Sequence, residues 1–183
     1  MIEPITRVDA DVLTSVFVGA QLGVVTYRYL PPADASGYVG GGEGLDADLA
    51  AVVLDLGNRG RGTITWAMDS DLHGISVLGD DSYTDLAAGF VEATSRGAWR
   101  GHVGDTITSV GAAWQVSGDR CPESLWALRL DFSAGSVVLA LGTDYPEIDY
   151  APDELVVVFD PVIAHAYQPR HVNGSAWGER LES

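Results

Sequence analysis

The amino-acid sequence predicts one mainly β domain, borderline with the α+β class: an antiparallel curved sheet, barrel or sandwich of about eight strands with one short helix near residues 83–96. Three observations predict this class. Segments rich in β-branched and aromatic residues recur along the chain, glycine-rich turns separate them, and 46% of the 183 residues are apolar against 20% charged, enough for one core. We therefore predict a single domain over residues 1–183, with a tail from about residue 170 that packs loosely.

The first half of the chain contains four strand-like segments. Residues 12–30 have the composition of one long bent strand or two short ones, and residues 31–44 have that of a loop. Residues 45–56 and 63–68 form a predicted β-hairpin around the glycine–arginine stretch between them. Residues 75–78 are a further short strand candidate.

The helix is predicted from the spacing of side chains in residues 83–96. Side chains that suit one helix face recur every three or four residues, at Tyr83, Leu86, Ala87, Phe90, Val91 and Thr94. Ser82, three residues before Asp85, resembles a capping box, and Gly97 suits the position after a helix C-terminus. No second helix is evident in the sequence.

The second half returns to a β pattern. Residues 106–116 form a predicted strand, and residues 125–132 and 136–142 form the hairpin with the strongest local signal in the chain. In that hairpin the predicted inward side chains are Leu128, Leu130 and Phe132, and the predicted outward ones are Arg129 and Asp131. A last strand over residues 154–160 lacks alternation and is therefore predicted to be buried.

The charge balance excludes several functions. The chain has 26 acidic and 10 basic residues, a net charge of -16, and every basic residue is arginine. Without lysine there is no P-loop lysine, kinase-type lysine or Schiff-base amine. Because phosphate backbones attract proteins through basic clusters, we expect no binding to nucleic acid or to an anionic membrane.

Further expectations concern location and metals. Residues 1–4 lack the basic start and apolar stretch of a secretory signal, and no segment is long and apolar enough for a membrane span, so we expect a cytoplasmic protein. The single cysteine, Cys121, cannot form an internal disulfide or supply paired thiolates to zinc. No cofactor is predicted.

One short motif resembles a metal-binding loop. Asp69 and Asp71, followed by a glycine at position six and Asp80 at position twelve, match much of a calcium-loop pattern, but His73 replaces the usual oxygen ligand and the preceding segment resembles a strand. An alternative is that Asp69, Asp71 and His73 project from one face of an extended segment as an acid–base group. A solvated turn between two strands explains the same residues without any function.

Three functional hypotheses follow. The first is a non-enzymatic acidic module that binds a basic protein, for example an immunity or inhibitor-type partner of a bacterial toxin or nuclease, because acidic surfaces steer association with cationic sites. Its predicted partner-binding residues are Tyr38, Gly41, Glu43, Asp69, Asp71 and His73. The alternative is a β-barrel that binds a small ligand or a hydrolase that uses Asp69, Asp71 and His73. A third possibility is an accessory domain that oligomerises through an exposed strand edge.

Overall fold

The structure, a computed structural model, describes residues 2–29, 44–79, 89–96, 98–144, 149–167 and, as backbone alone, 179–180. The helices within them are α1 (Asp11–Phe17), α2 (Trp99–His102) and α3 (Pro161–Ala166). The strands are β1 (Val25–Tyr29), β2 (Leu45–Leu49), β3 (Ala51–Asp55), β4 (Arg61–Asp69), β5 (Leu72–Leu78), β6 (Gly89–Glu92), β7 (Ser109–Gln115), β8 (Ser124–Phe132), β9 (Gly135–Leu141), β10 (Leu155–Val158) and β11 (Glu179–Arg180). None of these helices has the length and apolar character needed to cross a bilayer.

The strands form two antiparallel sheets that pack face to face. One sheet has the order β5-β4-β3-β1-β6 and the other β11-β7-β8-β9-β10-β2. Their facing side chains make one core, in which Tyr27 and Ile64 of the first sheet and Leu128 and Leu139 of the second are fully buried. The predicted mainly β class is confirmed, as a sandwich and not as a barrel.

The chain passes from one sheet to the other at Ala50, which alone separates β2 from β3. The Ala50 N–H donates to the carbonyl of Arg28 at 2.8 Å, so the corner is held by β1. Just before the corner, the pairing of β2 with β10 shifts register between Leu155 and Val157, and Asp48 has φ 60. A bulge of this kind re-aims the side chains around it.

The predicted hairpin over residues 125–132 and 136–142 is confirmed, and the one over residues 45–56 and 63–68 is confirmed only for its second part, because residues 45–49 form β2 in the other sheet. β3 and β4 pair around a 3-10 turn at Gly57–Arg59, and β8 pairs with β9 with Phe132 opposite Gly135. The prediction that Arg129 lies on the outside is wrong as to exposure, because the Arg129 side chain is buried. Its guanidinium lies 2.9 Å from the carboxylate of Asp131, and this pairing compensates the charge that burial would otherwise leave isolated.

Two predictions of element type are wrong. Residues 12–17, predicted as strand, belong to the helix α1, in which Leu13 and Phe17 are one turn apart and fully buried. The predicted helix near 83–96 is wrong where it is described: Gly89–Glu92 is the strand β6, paired with β1, whereas residues 83–88 lie outside the described residues. In both places packing against the sheets overrides the local propensity.

A buried polar chain links the core to the edge strand β2. The indole N–H of Trp99 donates to the Tyr27 hydroxyl at 2.6 Å, and that hydroxyl donates to the carboxylate of Asp46 at 2.8 Å. Trp99 and Tyr27 are fully buried, so these two polar groups depend on each other for hydrogen bonds. Burial first, then the charge and hydrogen bond of Asp46, raise the pKa of Tyr27 far above its usual value, so the phenol stays protonated.

The tail is described only at β11, which pairs with β7 through Glu179 opposite Ala112 and Arg180 opposite Gly111. The predicted loose packing from about residue 170 otherwise lies outside the described residues.

Candidate functional site

The predicted acid–base residues form the turn between β4 and β5. In the register of this hairpin, Met68 pairs with His73 and Asp69 pairs with Leu72, while Ser70 has φ 55. Adjacent register positions point to opposite faces of a β-ribbon. The prediction that Asp69, Asp71 and His73 project from one face is therefore wrong, because the chain reverses at Ser70 and Asp71.

The backbone of this turn is tied to the loop after β7. The His73 N–H donates to the Ser117 hydroxyl at 3.0 Å, and that hydroxyl donates to the carbonyl of Asp71 at 2.8 Å. The carbonyl of His73 accepts from the Gln115 amide at 3.0 Å and from the Ser124 hydroxyl at 2.6 Å. These contacts use backbone groups, so the structure explains the turn as a well-anchored connection between strands.

The metal and loop residues predicted from the sequence have different outcomes. Asp69 and Asp71 lie in a strand-to-strand turn, and within the described ranges no group of three or more His, Cys, Asp or Glu side chains has a metal-binding arrangement. Asp80, Tyr38, Gly41 and Glu43 lie outside the described residues. Binding of a partner by any of the six predicted residues stays a prediction.

The structure has a further feature that the sequence did not single out, a cleft of 210 Å³ at the corner between the two sheets. It is lined by Asp48, Leu49, Ala50, Asp153 and Glu154. We call it the acidic cleft. Its carboxylates come from the bulge at the end of β2 and from the residues just before β10, which are about 100 positions apart in the chain and meet because β2 pairs with β10.

Like charges in and around the acidic cleft perturb one another. Burial is the largest cause that raises the pKa of Glu154, and the charges of Asp48, Asp153 and Asp144 raise it further, against a hydrogen bond from Thr143 that lowers it. Burial and the charge of Asp144 also raise the pKa of Asp48. A raised carboxyl pKa means that the folded protein holds these negative charges at an energetic cost.

One oxygen of the acidic cleft has no partner within the described structure. Oε2 of Glu154 is shielded from solvent and receives no hydrogen bond, although the residue as a whole is half-buried. A buried unsatisfied carboxylate oxygen costs more than a neutral acceptor would. The Glu154 carboxylate is therefore held in the free protein at an energetic cost to which the burial of this oxygen adds.

The segment that carries the cleft acids is fixed to the body of the sandwich by Tyr167. The Tyr167 hydroxyl donates to the carbonyl of Leu141 and also approaches that of Asp149 at 3.2 Å, and its ring packs edge-on against Trp126 with centroids 5.7 Å apart. Gly142 permits this contact, since a Cβ there would lie 2.2 Å from the Tyr167 oxygen. Tyr167 thus holds the described part of the connection between β9 and β10 at Leu141 and at Asp149.

The β4–β5 turn is also tied to the segment that leads into β10. The amide nitrogen of Gln115 donates both to the His73 carbonyl and, at 2.9 Å, to the Tyr150 hydroxyl.

Comparison with other proteins adds no assignment. No protein-family model matches the chain, and no curated protein and no solved structure shows significant similarity to it.

The chemistry available at the acidic cleft is recognition of positive charge. The described lining residues offer carboxylates and apolar groups and supply no nucleophile paired with a base. A lysine or arginine side chain placed there would be attracted by the carboxylates of Asp48, Asp153 and Glu154.

Proposed function

We propose that this protein is a non-enzymatic acidic binding module and that the acidic cleft binds cationic side chains of a basic protein partner. The observation that carries the proposal is the concentration of Asp48, Asp144, Asp153 and Glu154 at one corner, where burial, and in addition the neighbouring negative charges, raise the pKa values of Asp48 and Glu154. A cation in the cleft removes the repulsion that the free protein maintains.

The net charge of -16 supports the same role by a longer-range mechanism. A strongly negative protein attracts a cationic partner before contact and raises the association rate by roughly 10- to 1,000-fold at low salt. The cleft then supplies short-range contacts to arginine or lysine. An inhibitor or immunity-type partner of a basic enzyme in the cytoplasm has this requirement, since it must block a cationic site quickly.

The hydrolase alternative has less support. Its three residues, Asp69, Asp71 and His73, share a tight turn in which Asp69 and His73 occupy opposite faces. A general base must reach the same reacting group as its partner acid, and this arrangement does not provide that geometry. The binding module requires only accessible carboxylates.

The test compares two variants of equal net charge. In the cleft triple variant, Asp48→Asn, Asp153→Asn and Glu154→Gln remove three charges from the acidic cleft. In the control triple variant, the exposed residues Glu3, Glu92 and Asp119 are changed to their amides. A synthetic hexa-arginine peptide serves as the cationic probe, and its Kd is measured by calorimetry at about 50 mM and about 200 mM salt, two concentrations that screen exposed charges to different extents.

We expect the cleft triple variant to bind the peptide about 10-fold more weakly than the control triple variant at both salt concentrations. Both variants should lose a similar part of the salt-dependent attraction, because both change net charge equally. Equal affinities in the two variants would contradict the proposal, since general acidity alone would then explain the binding. As a folding control, the cleft triple variant should unfold at a higher urea concentration than the original protein at pH 7, because its pKa-raised carboxylates are gone.

A further inference from the structure

His102 is the buried histidine of the described structure. It belongs to α2 and has 5% of its surface exposed, whereas His73 is half-buried and His165 is exposed. The His102 ring stacks on that of Phe132 at the end of β8, with centroids 4.3 Å apart and an angle of 22° between the planes. Its Nδ1 atom is shielded from solvent and has no hydrogen-bond partner among the described residues. A protonated imidazole has two N–H donors to satisfy, so these surroundings favour the neutral ring.

The stack joins α2 to the tip of the β8–β9 hairpin, residues 132–135. The Ser133 hydroxyl adds a hydrogen bond of 2.8 Å to the carboxylate of Asp105, which follows α2 by three residues. Gly135 of β9 lies against the ring, since a Cβ there would be 3.8 Å from Cε1 of His102. We call these contacts of the hairpin tip with α2 and Asp105 the hairpin-tip contact.

The chain on either side of the hairpin-tip contact is held by bonds that do not involve the His102 ring. The Gly104 N–H donates to the carbonyl of Leu22 at 2.7 Å, which fixes the segment after α2. The hairpin is fixed as far as Asp131, whose carbonyl accepts from the Thr108 N–H at 2.8 Å. Beyond that residue, the described contacts that hold the tip to α2 are those of the hairpin-tip contact.

The charged groups around His102 leave its neutral form favoured. Burial lowers the pKa of His102, and the carboxylate of Asp105 opposes this effect without cancelling it. Arg100 on α2 is exposed, and on β8 the carboxylate of Asp131 lies 2.9 Å from the guanidinium of Arg129. On β9 the residue against the ring is an uncharged glycine. The closed contact is therefore fully stable above the ordinary histidine pKa of about 6.5 and loses stability as the pH falls below it.

We propose that the hairpin-tip contact is a pH-sensitive switch, in which protonation of His102 separates the tip of the β8–β9 hairpin from α2 while both sheets stay paired. Local opening is favoured where few buried contacts hold a short element, and α2 is a single turn without a side-chain cap. Residues 133–135 are exposed even in the closed form. Opening gives the charged ring access to water and exposes Phe132, of which 6% is exposed when the contact is closed. The switch does not rest on the function proposed for the acidic cleft.

Two measurements on the whole protein test the switch. NMR titration of the imidazole groups gives the pKa of His102 directly, and we expect it below about 6.5. Amide hydrogen exchange gives the protection factors of residues 132–136 at pH 7.5 and 5.5. An opening that frees a neutral buried histidine becomes up to about 10-fold more favourable over this range, so these protection factors should fall by about 3- to 10-fold. Urea below about 1 M should change them little, because a local opening exposes little surface, whereas the amides of Leu128 and Leu139 should respond steeply.

Variants assign the effect to His102. His102→Phe keeps an aromatic ring in the stack and cannot be protonated, so the tip should have equal protection at both pH values. His102→Gln should also remove the pH dependence, and it replaces the phenylalanine variant if that variant does not fold. Ser133→Ala removes the hydrogen bond to Asp105 without a change of charge, so it should lower protection by the same factor at both pH values. His165→Gln, at an exposed histidine, is the matched control and should retain the original pH dependence.

Three results would each overturn the proposal. The first is a pKa above about 6.5 for His102, because attraction of the charged ring to Phe132 would then outweigh the cost of burial. The second is protection of the tip that is independent of pH in the original protein, or a pH dependence that both His102 variants retain. The third is a urea dependence of the tip amides equal to that of Leu128 and Leu139, since the tip would then open only when the whole domain unfolds.

Discussion

Replacing Tyr27 by phenylalanine tests how much the buried polar chain contributes to stability. The change removes one oxygen that accepts from the Trp99 indole at 2.6 Å and donates to Asp46 at 2.8 Å. The indole N–H is then left buried without a partner, at a cost of about 1–3 kcal/mol, and Asp46 loses a hydrogen bond to a charged group worth about 1.5 kcal/mol. We expect a loss of about 3 kcal/mol in the free energy of unfolding at pH 7.

The penalty should also depend on pH, with a sign fixed by Asp46. Burial raises the pKa of Asp46, while the hydrogen bond from Tyr27 lowers it, so Tyr27→Phe should raise that pKa further. A carboxyl group whose pKa is higher in the folded than in the unfolded protein stabilises the fold when the pH is below its unfolded pKa. That stabilisation is lost as the pH rises through the folded pKa. The penalty of Tyr27→Phe should therefore be about 1 kcal/mol smaller at pH 4 than at pH 7.

Urea unfolding followed by tryptophan fluorescence measures both values. Tyr29→Phe is the matched control, because it removes a hydroxyl from the same strand on a side chain that is only half-buried, and it should change stability by less than about 0.5 kcal/mol. Asp46→Asn provides the double-mutant cycle with Tyr27→Phe, with an expected coupling of about 1–1.5 kcal/mol. A Tyr27→Phe penalty below about 1 kcal/mol, or one that is equal at both pH values, would refute this reasoning.

Three further predictions concern the core, a buried histidine and the bulge. Leu139→Ala should lower the free energy of unfolding by about 2–5 kcal/mol in urea titrations, because Leu139 is fully buried, whereas Val162→Ala, at a side chain 74% exposed, should change it by less than about 0.5 kcal/mol. Burial lowers the pKa of His102, whose ring stacks on that of Phe132 with centroids 4.3 Å apart and whose Nδ1 has no hydrogen-bond partner among the described residues. Stability should therefore fall as the pH drops below about 6.5. Thermal unfolding between pH 7.5 and 5.5 should show this loss, and His102→Phe should reduce it. Asp48 has φ 60, a value that favours glycine, so Asp48→Gly should be about 1 kcal/mol more stable than Asp48→Ala. Equal urea midpoints for the two variants would contradict backbone strain at this position.

Local patterns in the sequence were sufficient for most of the β-structure. The hairpin of β8 and β9 was predicted from alternating side chains around a glycine-containing turn, and the structure pairs the two strands as expected. Such a pattern works because strand alternation and turn dihedrals are set by neighbouring residues. The same reasoning failed for α1 and β6, where the local preference is weak and the contacts that decide the element come from distant strands.

The acidic cleft was beyond the reach of that reasoning for a physical reason. The chain has 26 acidic residues, and nothing local to Asp48 or Glu154 distinguishes them from the others. A short motif such as Asp69–His73 attracts attention because its members are close in sequence, yet the hairpin separates their side chains. Closeness in sequence and convergence in space are different properties.

The sequence by itself determined the charge, the absence of lysine, the class of secondary structure and the places where the chain turns, since composition and nearest-neighbour preferences fix these. The tertiary structure alone decided which carboxylates share a cleft, that Arg129 is buried, and that Arg28 lies beside Phe90, because each depends on pairing between strands remote in the chain. The composition determines that the protein is strongly negative. The pairing of β2 with β10 determines where carboxylates cluster on it.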